Sequence, residues 1–177
     1  MKTDHKIIGG VVLVTLVLIV GFSLFADKKV VKEKERTSQV LLGEKIEEMK
    51  SPHIKLGELH EPYNSNPPTS GPHTGNDVAG AGIKDGFVAD ELVVHSLEHG
   101  AVVLWYRDDV SKEDVERLQK IFNEATGKKI MMPRNNMDTP IALTSWNYRL
   151  LLDTVDEAKI KEFIETNNDR GPEKAPI

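Results

Sequence analysis

Val94-His95-Ser96-Leu97-Glu98-His99-Gly100 runs straight into Ala101-Val102-Val103-Leu104-Trp105-Tyr106, and the change of pattern at Gly100 decides the fold. Residues 91–99 read as one to two helical turns, with Asp90 as N-cap and Gly100 at the first position past the helix end. The six residues after the glycine are β-branched, aromatic or aliphatic without a break, which is the composition of a buried strand. A helix that stops and becomes a buried strand within one residue is the start of an α+β layer.

Downstream, Asp108-Asp109-Val110-Ser111 turns the chain, and Ser111 with Asp114 makes a capping pair. Val115, Leu118, Ile121, Phe122 and Ala125 then recur at helical spacing until Gly127. Lys129 to Met132 reads as a strand closed by Pro133, and Ile141 to Trp146 as a second, antiparallel to it. Asn147 to Leu152 extends that ladder or forms an edge. Asp156 to Thr166 carries Ala158, Ile160, Phe163 and Ile164 on one face of a second amphipathic helix. The order predicts a small sheet with two amphipathic helices packed on one face, an α+β domain over residues 51–170 followed by a polar tail at 171–177.

Upstream the character changes. Between Ser51 and Gly86 fall five of the nine prolines and six glycines, in a stretch with little periodicity. A loop that long within a compact domain is functional or disordered. The presence of Tyr63, His60 and His73 beside prolines favours function, because proline removes backbone freedom before folding. Ser38 to Lys50 reads as a short amphipathic helix weakened by Gly43, and Asp27 to Thr37 as a charged tether, so residues 27–50 form a spacer. Ile7 to Phe25 contains no charge, and Thr15 and Ser23 are its only polar side chains. As a helix it spans about 28 Å, the thickness of a bilayer core. The rival is a cleaved signal peptide, but the run is longer than the usual apolar region and lacks a small-residue cleavage pair. Residues 1–26 are therefore expected to be a tail and a single transmembrane anchor.

Composition excludes several classes. A net charge of −5 offers no basic footprint for nucleic acid. With no cysteine there is no disulfide, thiolate metal site or cysteine nucleophile. Ser70 and Ser96 stand in no nucleophile-elbow context. The histidines remain. On a helix His95 and His99 face the same way one turn apart, a spacing suited to one ion. His60 and His73 would complete a nitrogen shell, with Glu98 as ligand or as acceptor for an imidazole N–H. A sulfur-free shell of this kind suits zinc or copper. His95-Ser96-Leu97-Glu98-His99 also matches the H-x-x-E-H pattern, in which the glutamate is the general base of a metal-dependent hydrolase. That pattern needs the helix to continue, and Gly100 argues against it.

Taken together, His60-Glu61-Pro62-Tyr63, Pro67-Pro68-Thr69-Ser70-Gly71-Pro72-His73, the stretch from Val94 to Val103, Leu143-Thr144-Ser145-Trp146 and the closing Gly171-Pro172-Glu173 resemble a bacterial and archaeal family of membrane-anchored proteins classed as a domain of unknown function. The resemblance runs from Leu59 to Glu173; it departs at Ser145, where the pattern more often has alanine. It implies one N-terminal transmembrane helix and an extracytoplasmic domain, and it supplies no mechanism. The expectation is thus a single-pass protein of the cell membrane, anchored through residues 7–25. Its extracytoplasmic domain holds a transition metal on His60, His73, His95, His99 and Glu98, for sequestration or delivery. The alternatives are a hydrolase using Glu98 as base, and a metal-free module binding a peptide or a protein partner at the membrane surface.

Overall fold

The structure, a computed structural model, describes Ala26, Val30 and residues 39–177. The chain separates into two units, Met1–Val40 and Leu41–Ile177, and the second carries the fold. The expected span at 7–25, Ser38 and most of the charged tether lie outside the described residues. Among the described residues no helix is long and apolar enough to cross a membrane.

The second unit is α+β. Its strands are β1 (Glu44–Lys45), β2 (His53–Ile54), β3 (His73–Thr74) and β4 (Gly82–Ile83), followed by helix α1 (Asp90–Glu98) and β5 (Val102–Tyr106). Helix α2 (Lys112–Glu124), β6 (Lys129–Pro133), β7 (Ile141–Ser145), β8 (Tyr148–Leu152) and helix α3 (Glu157–Asn167) complete it. Six strands form a mixed sheet in the order β1-β8-β7-β5-β6-β4, and β2 and β3 make a separate two-stranded parallel bridge.

β5 lies near the middle of the sheet, parallel to β6 and antiparallel to β7. Alternate side chains of a strand point to opposite faces, so an unbroken apolar run demands cover on both. Val102 and Leu104 pack with Leu118, Ile121 and Phe122 of α2 and Ile160, Phe163 and Ile164 of α3. Val103 and Trp105 pack on the other face with Val93, Val94 and Leu97 of α1. The expected pair of amphipathic helices on one face is present, but a third helix covers the opposite face. The buried indole N–H of Trp105 donates to Thr144 Oγ1 at 2.9 Å, so the ring is buried with its polar edge satisfied.

Three further expectations are corrected. β7 is antiparallel as expected but pairs with β5 and β8, since β6 takes the other side of β5. Residues 41–50 are extended rather than helical: Glu44 and Lys45 pair with Arg149 and Tyr148 of β8, and Asn167 both accepts from the Leu42 N–H and donates to its carbonyl. Those backbone groups find partners on β8 and on α3 that a helix interrupted by Gly43 would have to supply itself. The α1 N-cap is Ala89, and Asp90 is the first helical residue; its carboxylate accepts two hydrogen bonds from Arg134, at 2.6 and 2.9 Å. Ser111 caps α2 as expected, and Asp156, expected as the first residue of its helix, is the cap of α3. Ser111 and Asp156 accept from the Asp114 and Lys159 N–H groups at the heads of α2 and α3.

Gly100 ends α1 with φ +86°, a conformation that L side chains rarely adopt, and the chain enters β5 two residues later. The final residues are not a free tail. Glu173 N–H donates to Glu98 O, Lys128 Nζ donates to Ala175 O, and Ile177 packs against the α1 layer. The C-terminus therefore closes over the end of the helix that carries the histidines.

Candidate metal centre

α1 buries Val94 and Leu97 against the sheet and turns His95, Glu98 and His99 toward the proline-rich loop and the C-terminal tail. His95 and His99 have ring centroids 4.4 Å apart, as expected for residues one helical turn apart. The loop at residues 67–74 is buried, and it delivers His73 with no exposed surface, its ring 5.4 Å from that of His95. Glu98 lies between them, its Oε2 at 2.9 Å from His73 Nε2.

A fifth donor was not foreseen. His53 pairs with His73 across the β2–β3 bridge, which places its ring 5.0 Å from His73 and its Nε2 3.8 Å from Glu98 Oε2. Donor atoms of His53, His73 and Glu98 all lie within 4.8 Å of one another, and those of His95, Glu98 and His99 do likewise. Ligands of one tetrahedral ion with bonds of about 2 Å sit about 3.4 Å apart, so side chains at these separations need only small rotations to share an ion. His60 falls in neither group. Its Nε2 is 3.9 Å from Glu91 Oε1, and its ring rests 5.0 Å from that of Tyr63.

The imidazoles are oriented in a common way. A carbonyl oxygen can only accept, so each ring nitrogen facing one must carry the proton. Nδ1 of His73 donates to Gly71 O, Nδ1 of His95 to Asp77 O, and Nδ1 of His99 to Pro176 O, each at 2.8 Å. That fixes Nε2 as the lone-pair nitrogen of each neutral ring, the arrangement that second-shell carbonyls impose on metal-binding histidines. It also sets Nε2 of His73 against an oxygen of Glu98, two acceptors at hydrogen-bond distance that need a proton or a cation between them. Burial holds His95 below the ordinary histidine range despite its bond to Asp77 O, and the neighbouring His99 and His73 add to the shift, so the ring stays in the form that binds metal.

The remaining residues of the motif are structural. Ser96 is fully buried, donates to Leu92 O and accepts from the Ala79 N–H, so its hydroxyl ties the 77–79 segment to α1 rather than attacking a substrate. Met131 and Met132 fill the core on opposite faces of β6. A cleft of about 810 Å³ lined by Tyr63, Phe87, Asp90 and Arg134 lies apart from the histidine groups, and none of the five donors borders it.

A family model described as "Protein of unknown function (DUF3105)" matches residues 58–176. No curated protein and no solved structure matches the chain.

Proposed function

The chain belongs to the DUF3105 family, whose description carries no activity, and we propose from its own geometry that it is a transition-metal-binding protein. The metal is held by His73, His95, His99 and Glu98, with His53 completing the shell at the solvent edge. One observation supports this above the others: the three buried imidazoles each have Nδ1 fixed by a backbone carbonyl and so offer Nε2 as the donor. His60 makes the same Nδ1 contact, to Glu61 O at 2.7 Å, so what singles out the other three is that their rings also converge on the Glu98 carboxylate. Nitrogen and carboxylate donors without sulfur suit Zn²⁺ or Cu²⁺.

The residues 7–25, uncharged and long enough for a bilayer, anchor the domain, and the domain lies on the extracytoplasmic side, where it sequesters a metal or hands it on. Binding is favoured over hydrolysis with Glu98 as base. α1 ends at Glu98, and Glu98 faces a histidine of each group, so its carboxylate serves as a ligand rather than facing an incoming substrate. His60 stands outside this shell, beside Glu91.

The test is metal content of the full-length chain purified in detergent, loaded with Zn²⁺ and dialysed. Wild type should retain at least one zinc per chain, and the His95→Ala/His99→Ala double variant should retain less than wild type while keeping its far-ultraviolet spectrum. Equal, substoichiometric zinc in the two proteins would sink the proposal.

A further inference from the structure

The donors divide into two groups that share one residue, and we infer that the site holds two metal ions bridged by the Glu98 carboxylate, with Glu173 as a further ligand. The inference rests on the metal-binding reading above and goes beyond it in number, position and ligand set. His53, His73 and Glu98 form one group; His95, Glu98 and His99 form the other. Only Glu98 is common to both. A carboxylate has two oxygens, and when each binds a different ion the pair is held about 3.5–4 Å apart, the spacing of two-metal sites.

The second support is a repeated contact. His73 Nε2 faces Glu98 Oε2 at 2.9 Å, and His99 Nε2 faces Glu173 Oε2 at 3.3 Å. In both rings Nδ1 already donates to a carbonyl, so in both places Nε2 meets a carboxylate oxygen across a contact that a ring proton or a metal ion must fill. One such contact lies in each group, and in each a divalent ion can take the place of the proton between nitrogen and oxygen. The first ion takes His53, His73 and Glu98; the second takes His95, His99, Glu98 and Glu173. Two carboxylates opposite two divalent ions leave a net charge of about +2 that four neutral imidazoles can stabilise.

The backbone holds Glu173 where this requires it. Its own N–H donates to Glu98 O at 3.1 Å, while Lys128 Nζ grips the tail and the helix end together through Ala175 O and His99 O, both at 2.8 Å. The two outer ligands are the exposed ones: the His53 side chain is 55% exposed and that of Glu173 51%, against 0% for His73. Each ion therefore has buried ligands on the shared side and an accessible ligand outward, where a coordination position can exchange.

Zinc stoichiometry of the full-length chain, by native mass spectrometry and elemental analysis, decides the matter. Wild type should bind two Zn²⁺, His53→Ala one and His99→Ala one, and Glu98→Ala none. Because His99→Ala removes a largely buried ring, the exposed Glu173→Gln serves beside it and should weaken one of the two equivalents by tenfold or more. Loaded with two Cu²⁺, wild type should give the broadened resonance of a coupled pair, and His53→Ala the sharp signal of an isolated ion. A single zinc in wild type, abolished by either His53→Ala or His99→Ala, overturns the two-ion inference and leaves the metal-binding reading standing. Two zincs with magnetically isolated copper overturn the bridge. No zinc at all overturns both readings.

Discussion

Glu98 is where the two readings of the cluster part. Were it one half of a structural ion pair with His73, its replacement by glutamine would remove a buried charge partner and destabilise the protein by several kcal/mol. In the glutamine variant, however, a neutral His73 ring with Nδ1 held by Gly71 O can accept at Nε2 from the amide N–H, so the contact is kept without a charge. Glu98→Gln should therefore leave the metal-free protein within about 0.5 kcal/mol of wild type in urea unfolding. The same variant should lose the stabilisation that added Zn²⁺ confers. A large loss of metal-free stability would show that the carboxylate is needed for packing. Legibility at this scale followed chain proximity. His95, Glu98 and His99 are contiguous and helical spacing alone brings them together, and His73 stood out in a loop rigid with proline. His53 was missed because it reaches the site through the parallel bridge to His73, a pairing that no local spacing announces. One signal was available: Pro52-His53 and Pro72-His73 repeat the same dipeptide at the two strands that pair. His60 has a comparable setting in the sequence and a different place in the fold.

At the scale of elements, the site depends on how α1 and the proline-rich loop are fixed to the sheet. Arg134, just past the end of β6, does this. Its guanidinium donates twice to Asp90 in the first turn of α1 and, through Nε, to Asn66 Oδ1 at 2.8 Å, while resting 5.2 Å from the Trp105 ring. A planar fork is needed to reach both partners, and lysine cannot supply one. Arg134→Lys should cost about 2 kcal/mol of folding stability, measured by urea unfolding. It should also weaken zinc binding by several-fold, although Arg134 touches no donor atom, because α1 and the 66–73 segment lose a common anchor. Unchanged affinity would mean that the loop holds His73 in place unaided. The elements themselves were largely readable. β5, α2, β6, β7 and α3 follow from apolar periodicity and, for α2, from the cap at Ser111. The order of strands was not readable, because nothing local to Ile141–Ser145 says whether it adds beside β6 or across β5. Nor did the sequence show α1 as a layer of its own, since a nine-residue helix with His95 and Glu98 in its last turn carries only a weak apolar stripe.

Over the second unit as a whole, the centre is assembled from chain segments far apart in sequence: residues 53 and 73 from the proline-rich loop, 95–99 from α1, and 173–176 from the tail. A bound ion is then a cross-link between parts of the chain that otherwise make few regular hydrogen bonds, whereas the central strands are held by ladders and by the core on both faces. Binding to the folded state alone stabilises by about 2.7 kcal/mol when free metal is a hundredfold above its dissociation constant. That stabilisation should be spent unevenly, because local opening draws first on the least supported segments. In limited proteolysis of the full-length chain, chelation should speed cleavage within residues 51–75 and within the last seven residues by tenfold or more, since 1.4 kcal/mol already gives a factor of ten in an opening equilibrium. Cleavage within residues 102–152 should change little. Restoring Zn²⁺ should protect the loop and the tail together in wild type; in Glu173→Gln it should protect the loop and not the tail. Protection that spread equally over the central strands would mean that the metal stabilises the unit globally, and the loop and tail would then not be the segments it ties down.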